Sequence, residues 1–183
     1  TSAQSLHADG RSKLAGLVLE SANPGLQNQA ARRERMHSDA LWVQRLRHDP
    51  LPEVLVDWYH QGVFSDLTPA RRAELITLRR QHDPRRLAHM LAASSLARQP
   101  DLRPWLQSSD LPILYLYGAA DLKFATLASE LLTACPAMQG AQIQAAGHNL
   151  HLTHADEVAA VLVPWLQRQL PAFAIPDSEE TTS

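Results

Sequence analysis

The stretch YLYGAADLKF, residues 115–124, runs from apolar residues through a glycine to an aspartate, Asp121, and then into a helical pattern. Its apolar run extends back as LPILYLYG to residue 111, which is typical of a buried strand. Apolar residues at helical spacing follow in LKFATLASELLTAC, and AQIQAAG at 141–147 is a further strand pattern. Strand, helix and strand in this order predict two parallel strands joined by a right-handed crossover.

Both ends of the chain extend this pattern. LAGLVLES, residues 14–21, is a short apolar run and predicts a third buried strand. A final helix is predicted over about 153–170, where Pro164 is expected to kink or divide it. The sequence therefore predicts an α/β fold with three parallel strands and crossover helices, in which residues 1–27 and 108–170 form the core.

The middle of the chain, residues 28–107, has no strand pattern but repeated helix-start signals. Thr68-Pro69 and Asp83-Pro84 each precede a helical pattern. We predict roughly four helices inserted as a cap over the strand ends. The polar segment 171–183, acidic near its end, is expected to be disordered.

Composition narrows the classes of protein. The 183 residues are 45% hydrophobic with a formal net charge of −2, which is typical of a globular protein and gives no general surface for nucleic acid. The single cysteine, Cys135, excludes an internal disulfide and offers no pair of thiolate ligands for a metal. No apolar run approaches the ~20 residues needed to span a membrane, and we expect a cytoplasmic protein.

Asp121 and His148 each follow a predicted strand, where open α/β sheets bind their ligands. An acid followed in chain order by an imidazole is the second half of a Ser…Asp…His arrangement, in which the carboxylate fixes the imidazole tautomer. Either motif alone is more often an ordinary turn. A metal site made of His148, His151 and His154 lacks a carboxylate or thiolate in register, so we expect local capping or solvation for the latter two histidines.

A longer series of motifs resembles a known family, the α/β-hydrolase fold and, within it, the 2-succinyl-6-hydroxy-2,4-cyclohexadiene-1-carboxylate synthases. The resemblance runs from about residue 14 to about 166, through LVLESANPGLQN, RRERMHSDALWVQR, DWYHQGVF, ELITLRR, SSLARQPDLRPWL, YGAADLKF and AGHNLH. It implies a cofactor-free lyase of menaquinone biosynthesis that eliminates pyruvate from 2-succinyl-5-enolpyruvoyl-6-hydroxy-3-cyclohexene-1-carboxylate. Asp121 and His148 would then activate a serine.

The resemblance also implies substrate-binding roles for two arginines. Arg35 and Arg79 match cap positions that bind substrate carboxylates, and a planar guanidinium can hold both oxygens of a carboxylate. The partner would be a small polycarboxylate. From the residues alone, a solvated helix face paired with Glu34 or Glu74 is the alternative.

Three aromatic residues and one lysine complete the predicted site. By resemblance Trp58 and Phe64 wall the pocket, with Tyr59 beside them, and Lys123 follows the acid by two residues. Ordinary helix-core packing is the alternative for the aromatics, and an exposed loop position is the alternative for the lysine.

One motif of the fold is not found in these residues. No Gly-x-Ser-x-Gly string precedes LVLES, and Ser94 and Ser95 lie in a helical pattern that does not replace it. We therefore expect this chain by itself to lack synthase activity, and to self-associate through the strand edge at 14–21 or to be marginally stable. A generic ester hydrolase and a non-catalytic binding module are the two alternative functions.

Overall fold

A parallel three-stranded sheet forms the core of the computed structural model, which describes residues 14–169. Its strands are β1 (Leu17–Glu20), β2 (Ile113–Gly118) and β3 (Met138–Ile143), in the order β1-β2-β3. Leu17 is in register with Ile113, and Ile113 with Met138. The predicted parallel sheet is confirmed.

Eight α-helices and one short 3-10 helix accompany the sheet in residues 14–169. The α-helices are α1 (Gln29–His48), α2 (Leu51–Trp58), α3 (Pro69–Arg79), α4 (Pro84–Ala93), α5 (Arg103–Ser108), α6 (Leu122–Ala134), α7 (Leu150–Thr153) and α8 (Ala155–Gln169), and the 3-10 helix is Gly62–Phe64. None of these helices combines the length and apolar character needed to cross a bilayer.

The two faces of β2 are buried under different helices, because side chains alternate along a strand. Ile113 and Tyr115 pack with residues of α5 and α6 in one cluster. Leu114 and Leu116 pack with residues of α7 and α8, including Trp165, in the other. Covered on both sides, β2 is a continuous apolar run, as strands of parallel sheets usually are.

Helices α1 to α4 form a separate apolar cluster centred on Val54 and Ala88, neither of which is exposed. Three of these helices begin at a side-chain cap: Asn28, Thr68 and Asp83 accept hydrogen bonds from backbone N–H groups of the first turn. These local signals explain why the sequence predicted helices here. The division of the chain into core and cap at residues 27 and 107 stays a prediction.

Several predicted boundaries are wrong by a few residues. The strand predicted at 14–21 is shorter in the structure, where β1 begins at Leu17 and ends at Glu20, because Ser21 already has a left-handed backbone with φ of 40°. β3 begins at Met138 and not at 141. The polar Gln139 and the glycine at 140 interrupt the apolar pattern, so the sequence did not show that Met138 belongs to the strand. α8 begins at Ala155 and continues through Pro164, whose ring lies on an exposed face. The predicted disordered segment 171–183 lies outside the described residues.

Candidate active site

The turn after β2 places Asp121 at the start of α6. Its Oδ1 accepts a hydrogen bond from the backbone N–H of Phe124 at 3.3 Å, so the carboxylate caps the helix. Gly118 allows the turn to pass close to the loop after β3, because a Cβ there would overlap the carbonyl oxygens of Ala146 and Gly147. The backbone N–H of Ala120 donates to Ala146 at 3.0 Å. The ends of β2 and β3 are therefore held together backbone to backbone.

This contact brings His148 to Asp121. The imidazole Nδ1 lies 2.8 Å from Asp121 Oδ2, and the two side chains are 23% and 13% exposed. The ring of Phe124 packs against the imidazole with 4.5 Å between ring centroids. With Nδ1–H donating to the carboxylate, Nε2 is the acceptor of the neutral ring. No residue in the described range 14–169 bonds to it.

Tyr115 lies beneath this pair in β2 and is fully buried. Burial, and then the negative charge of Asp121, raise the pKa of the Tyr115 phenol to about 12. The phenol therefore stays protonated, and its hydroxyl donates to the carbonyl oxygen of Ala22 at 2.7 Å. This bond ties the loop after β1 to the centre of the sheet.

A cavity of about 430 Å³, here called the strand-end cavity, opens over Asp121 and His148. Lys123 lies on its rim, exposed, with its ammonium 5.7 Å from the centroid of the Phe124 ring. The remaining wall comes from the cap, from the turn after β2 with the start of α6, and from the loop after β3: Gln61, Gly62, Val63, Ser65, Ala120, Leu122 and Gly147.

A second cavity of about 430 Å³, here called the cap cavity, lies between the helices of the cap and α7. Trp58, Tyr59, Phe64 and Arg79, all predicted from the sequence, line it together. The other lining residues are mostly apolar: Leu46, Val54, Leu55, Leu75, Leu87, Met90, Leu91, Ser94, Asn149, His151 and Leu152. Arg79 ends α3 and forms no ion pair among the described residues.

Comparisons with known proteins find close sequence relatives of the chain, although no family model matches it. It is 49% identical over 153 residues to the 2-succinyl-6-hydroxy-2,4-cyclohexadiene-1-carboxylate synthases of Salmonella newport (strain SL254) and Salmonella typhimurium (strain LT2). Each match covers 81% of this chain and 59% of the relative. Over most of its own length, the chain is therefore a relative of these synthases.

Solved structures agree with this relationship. The structure of MenH from S. aureus matches with a TM-score of 0.81 and 25% identity, covering 91% of this chain and 64% of that chain. A thermophilic esterase from Thermogutta terrifontis matches with a TM-score of 0.62 and 21% identity, covering 89% and 59%, which shows the fold alone. The predicted α/β-hydrolase fold is confirmed. The chain spans about 59% of the length of the Salmonella synthases.

Arg35, which the resemblance to the synthases assigns to the substrate, lines neither cavity. Its Nε donates to both oxygens of Asp39 at 2.8 and 2.9 Å. Asp39 is only 6% exposed and also accepts a hydrogen bond from the hydroxyl of Ser95 at 2.6 Å. The described structure gives Arg35 a role in the packing of α1 against the end of α4, and its substrate contact stays a prediction.

Several polar residues near the strand ends were not predicted from the sequence. Asp66 Oδ2 accepts from the backbone N–H of Gly147 at 3.2 Å, and the side-chain amide of Asn149 donates to the carbonyl of Val63 at 3.0 Å. Asn149 directly follows His148 in the sequence, so its place near the site could have been predicted from that position. Asp66 lies 81 residues before Gly147, so no local signal pointed to it.

The other two histidines of the segment make local contacts. His151 Nδ1 lies 2.8 Å from Glu20 Oε1, at the end of β1, and His154 Nδ1 lies 2.9 Å from the hydroxyl of Thr153. Between residues 14 and 169, no group of three or more His, Cys, Asp or Glu side chains is arranged to hold a metal ion.

Proposed function

We propose that this chain supplies the acid–base pair and the substrate pocket of a carbon–oxygen lyase that eliminates pyruvate from 2-succinyl-5-enolpyruvoyl-6-hydroxy-3-cyclohexene-1-carboxylate. The observation that carries the proposal is the 2.8 Å contact between His148 and Asp121, which opens onto the strand-end cavity. The relatives that are 49% identical are 2-succinyl-6-hydroxy-2,4-cyclohexadiene-1-carboxylate synthases, which supports the reaction class.

In this proposal Asp121 fixes the Nδ1–H tautomer of His148 and leaves Nε2 to take a proton. The proton donor would be a serine supplied from outside these 183 residues. The activated serine removes a proton from ring carbon 2 of the substrate, and the electron pair of that C–H bond forms a double bond between carbons 2 and 3. The existing double bond shifts from carbons 3 and 4 to carbons 4 and 5, and the bond between carbon 5 and the enolpyruvoyl oxygen breaks. The departing enolpyruvate is protonated to pyruvate, so the elimination balances without a cofactor.

The cap cavity would hold the carboxylate-bearing part of the substrate. Arg79 supplies a cation on a wall that is otherwise largely apolar, where a charge-assisted hydrogen bond is stronger than in water. Trp58, Tyr59 and Phe64 would exclude water from the bound substrate. Lys123, on the rim of the strand-end cavity, would contribute positive charge near the departing pyruvate.

Three further properties stay predictions: the substrate is a small polycarboxylate, the protein is located in the cytoplasm, and the 183-residue chain by itself self-associates through the edge of β1. The proposed reaction does not depend on the location or on the self-association.

The proposal is tested in a completed protein, made by joining this chain to the preceding segment of the Salmonella typhimurium synthase. We expect pyruvate release from the cyclohexene substrate, and His148→Ala and Asp121→Asn should each lower kcat by about 10⁴-fold. Continuous measurement of pyruvate with a coupled dehydrogenase gives the rates.

Two controls separate the alternatives. The unmodified 183-residue chain should release no pyruvate, and even a few per cent of the rate of a full-length synthase would contradict that expectation. Hydrolysis of p-nitrophenyl esters by the completed protein, without pyruvate release, would replace the lyase with a generic hydrolase.

A further inference from the structure

A short segment of the cap is hydrogen-bonded to the loop that carries His148. This segment, residues 62–66, contains the 3-10 helix and ends at Asp66. Gly147 donates its backbone N–H to Asp66 Oδ2 at 3.2 Å. The hydroxyl of Thr153 lies 3.4 Å from the same oxygen, but its one proton is shared with the carbonyl of Asn149 at 3.2 Å. The amide of Asn149 donates to the carbonyl of Val63 at 3.0 Å. The bonds made by Gly147 and Asn149 therefore flank His148 on both sides in sequence.

The fit around Asp66 is close. A Cβ on Gly147 would overlap the Asp66 carboxylate, so the loop can approach the carboxylate only because residue 147 is glycine. The other oxygen, Oδ1, is buried and has no hydrogen-bond partner among the described residues. An incompletely paired buried carboxylate costs free energy, and proteins retain such groups mainly where a site requires the geometry.

The same segment separates the two cavities. Gly62, Val63 and Ser65 face the strand-end cavity with His148, whereas Phe64 faces the cap cavity. A shift of this segment would therefore move the wall of the cap cavity and the histidine loop together.

We propose that Asp66 is a positioning residue for His148: it holds the Gly147 peptide, and thereby keeps the imidazole bonded to Asp121 and aligned with the strand-end cavity. The inference rests on the proposed function for its catalytic consequence. Its structural part can be measured on this chain without any lyase activity.

The first experiment observes the imidazole of His148 in the 183-residue chain by ¹⁵N NMR, with His148→Gln used to assign its signals. In the parent chain we expect the tautomer protonated at Nδ1. Asp66→Ala should move the signals toward the mixture of tautomers of a free imidazole. Asp66→Asn keeps an acceptor oxygen for the Gly147 N–H and should retain the parent signals.

A stability control distinguishes positioning from general destabilisation. Val43→Ala removes buried side-chain volume from the cap cluster, away from both cavities, and should lower the melting temperature without changing the His148 signals. Asn149→Ala removes the second link and should shift these signals in the same direction as Asp66→Ala. It serves as the test variant if Asp66→Ala does not fold.

In the completed protein, Asp66→Ala should lower kcat by on the order of 10- to 100-fold with KM changed less than about threefold, because a displaced base slows the chemical step. Asp66→Asn should restore most of kcat. Signals of His148 that stay unchanged in Asp66→Ala and Asn149→Ala would overturn the positioning role, whatever the lyase assay shows. Altered signals in a completed protein without pyruvate release would instead overturn only the proposed function.

Discussion

At the scale of single residues, the two predicted substrate arginines differ in what they contact. Arg35 pairs with Asp39, which is only 6% exposed, whereas Arg79 lies at the cap cavity without an ion pair among the described residues. Arg35→Ala would leave a buried carboxylate with one hydroxyl partner, at a cost of about 1 to 3 kcal/mol. We expect its melting temperature to fall by on the order of 5 °C, measured by circular dichroism.

Arg79→Ala is the matched comparison. It should change the free energy of unfolding by less than about 0.5 kcal/mol, but raise KM of the completed protein about 10- to 100-fold by removing a carboxylate contact. An Arg35→Ala variant as stable as the unmodified chain would show that the Arg35–Asp39 pair is not structural.

At the scale of elements, the candidate site depends on how closely the turns after β2 and β3 approach each other. Gly118→Ala would place a methyl group against two carbonyl oxygens of the histidine loop and separate the turns. We expect a loss of about 1 to 3 kcal/mol in the free energy of unfolding, because the opposing atoms are backbone and cannot rotate away. Urea denaturation of the 183-residue chain measures this loss.

Gly62→Ala provides the control at the element scale, since a Cβ there meets nothing within 4 Å. It should leave the urea midpoint unchanged or raise it slightly, because alanine restricts the unfolded chain more than glycine does. A Gly118→Ala variant as stable as Gly62→Ala would mean that the two turns can separate without cost.

At the scale of the whole molecule, β1 has a hydrogen-bonded neighbour on one side only within residues 14–169. Leu17 donates its N–H to the carbonyl of Pro112, just before β2, and Ser21 donates to Leu116 of β2, both at 2.9 Å. Alternation therefore directs the backbone of Val18 and Glu20 to the open side. An open apolar edge recruits further strands. We expect the 183-residue chain to self-associate with rising concentration in analytical ultracentrifugation, and Val18→Pro to reduce this by removing one outward donor.

A double variant separates edge pairing from burial. Leu17→Lys with Leu19→Lys places two charges in the apolar cluster on α5 and α6, and should lower the melting temperature much more than Val18→Pro does. A parent chain that stays monomeric and melts cooperatively above about 65 °C, beyond the usual mesophile range, would contradict the edge prediction.

The amino-acid sequence determined the elements whose signals are local. The apolar run of β2, the side-chain caps of the cap helices and the helical spacing of α6 each lie within a dozen or so neighbouring residues. Asp121 and His148 could be paired from sequence because neighbouring parallel strands end at the same edge of a sheet. β3 was located less well, since its buried ends enclose polar residues and a glycine.

Only the tertiary structure decided the contacts between residues far apart in the chain. Asp66 meets Gly147 across 81 residues, and Ser95 meets Asp39 across 56. It likewise placed Arg79 at a cavity and Arg35 in an ion pair, although both arginines lie on similar arginine-rich helices. The physical reason is that periodicity and capping depend on neighbouring residues, whereas a side chain's partner depends on how whole elements pack, which no short stretch of sequence encodes.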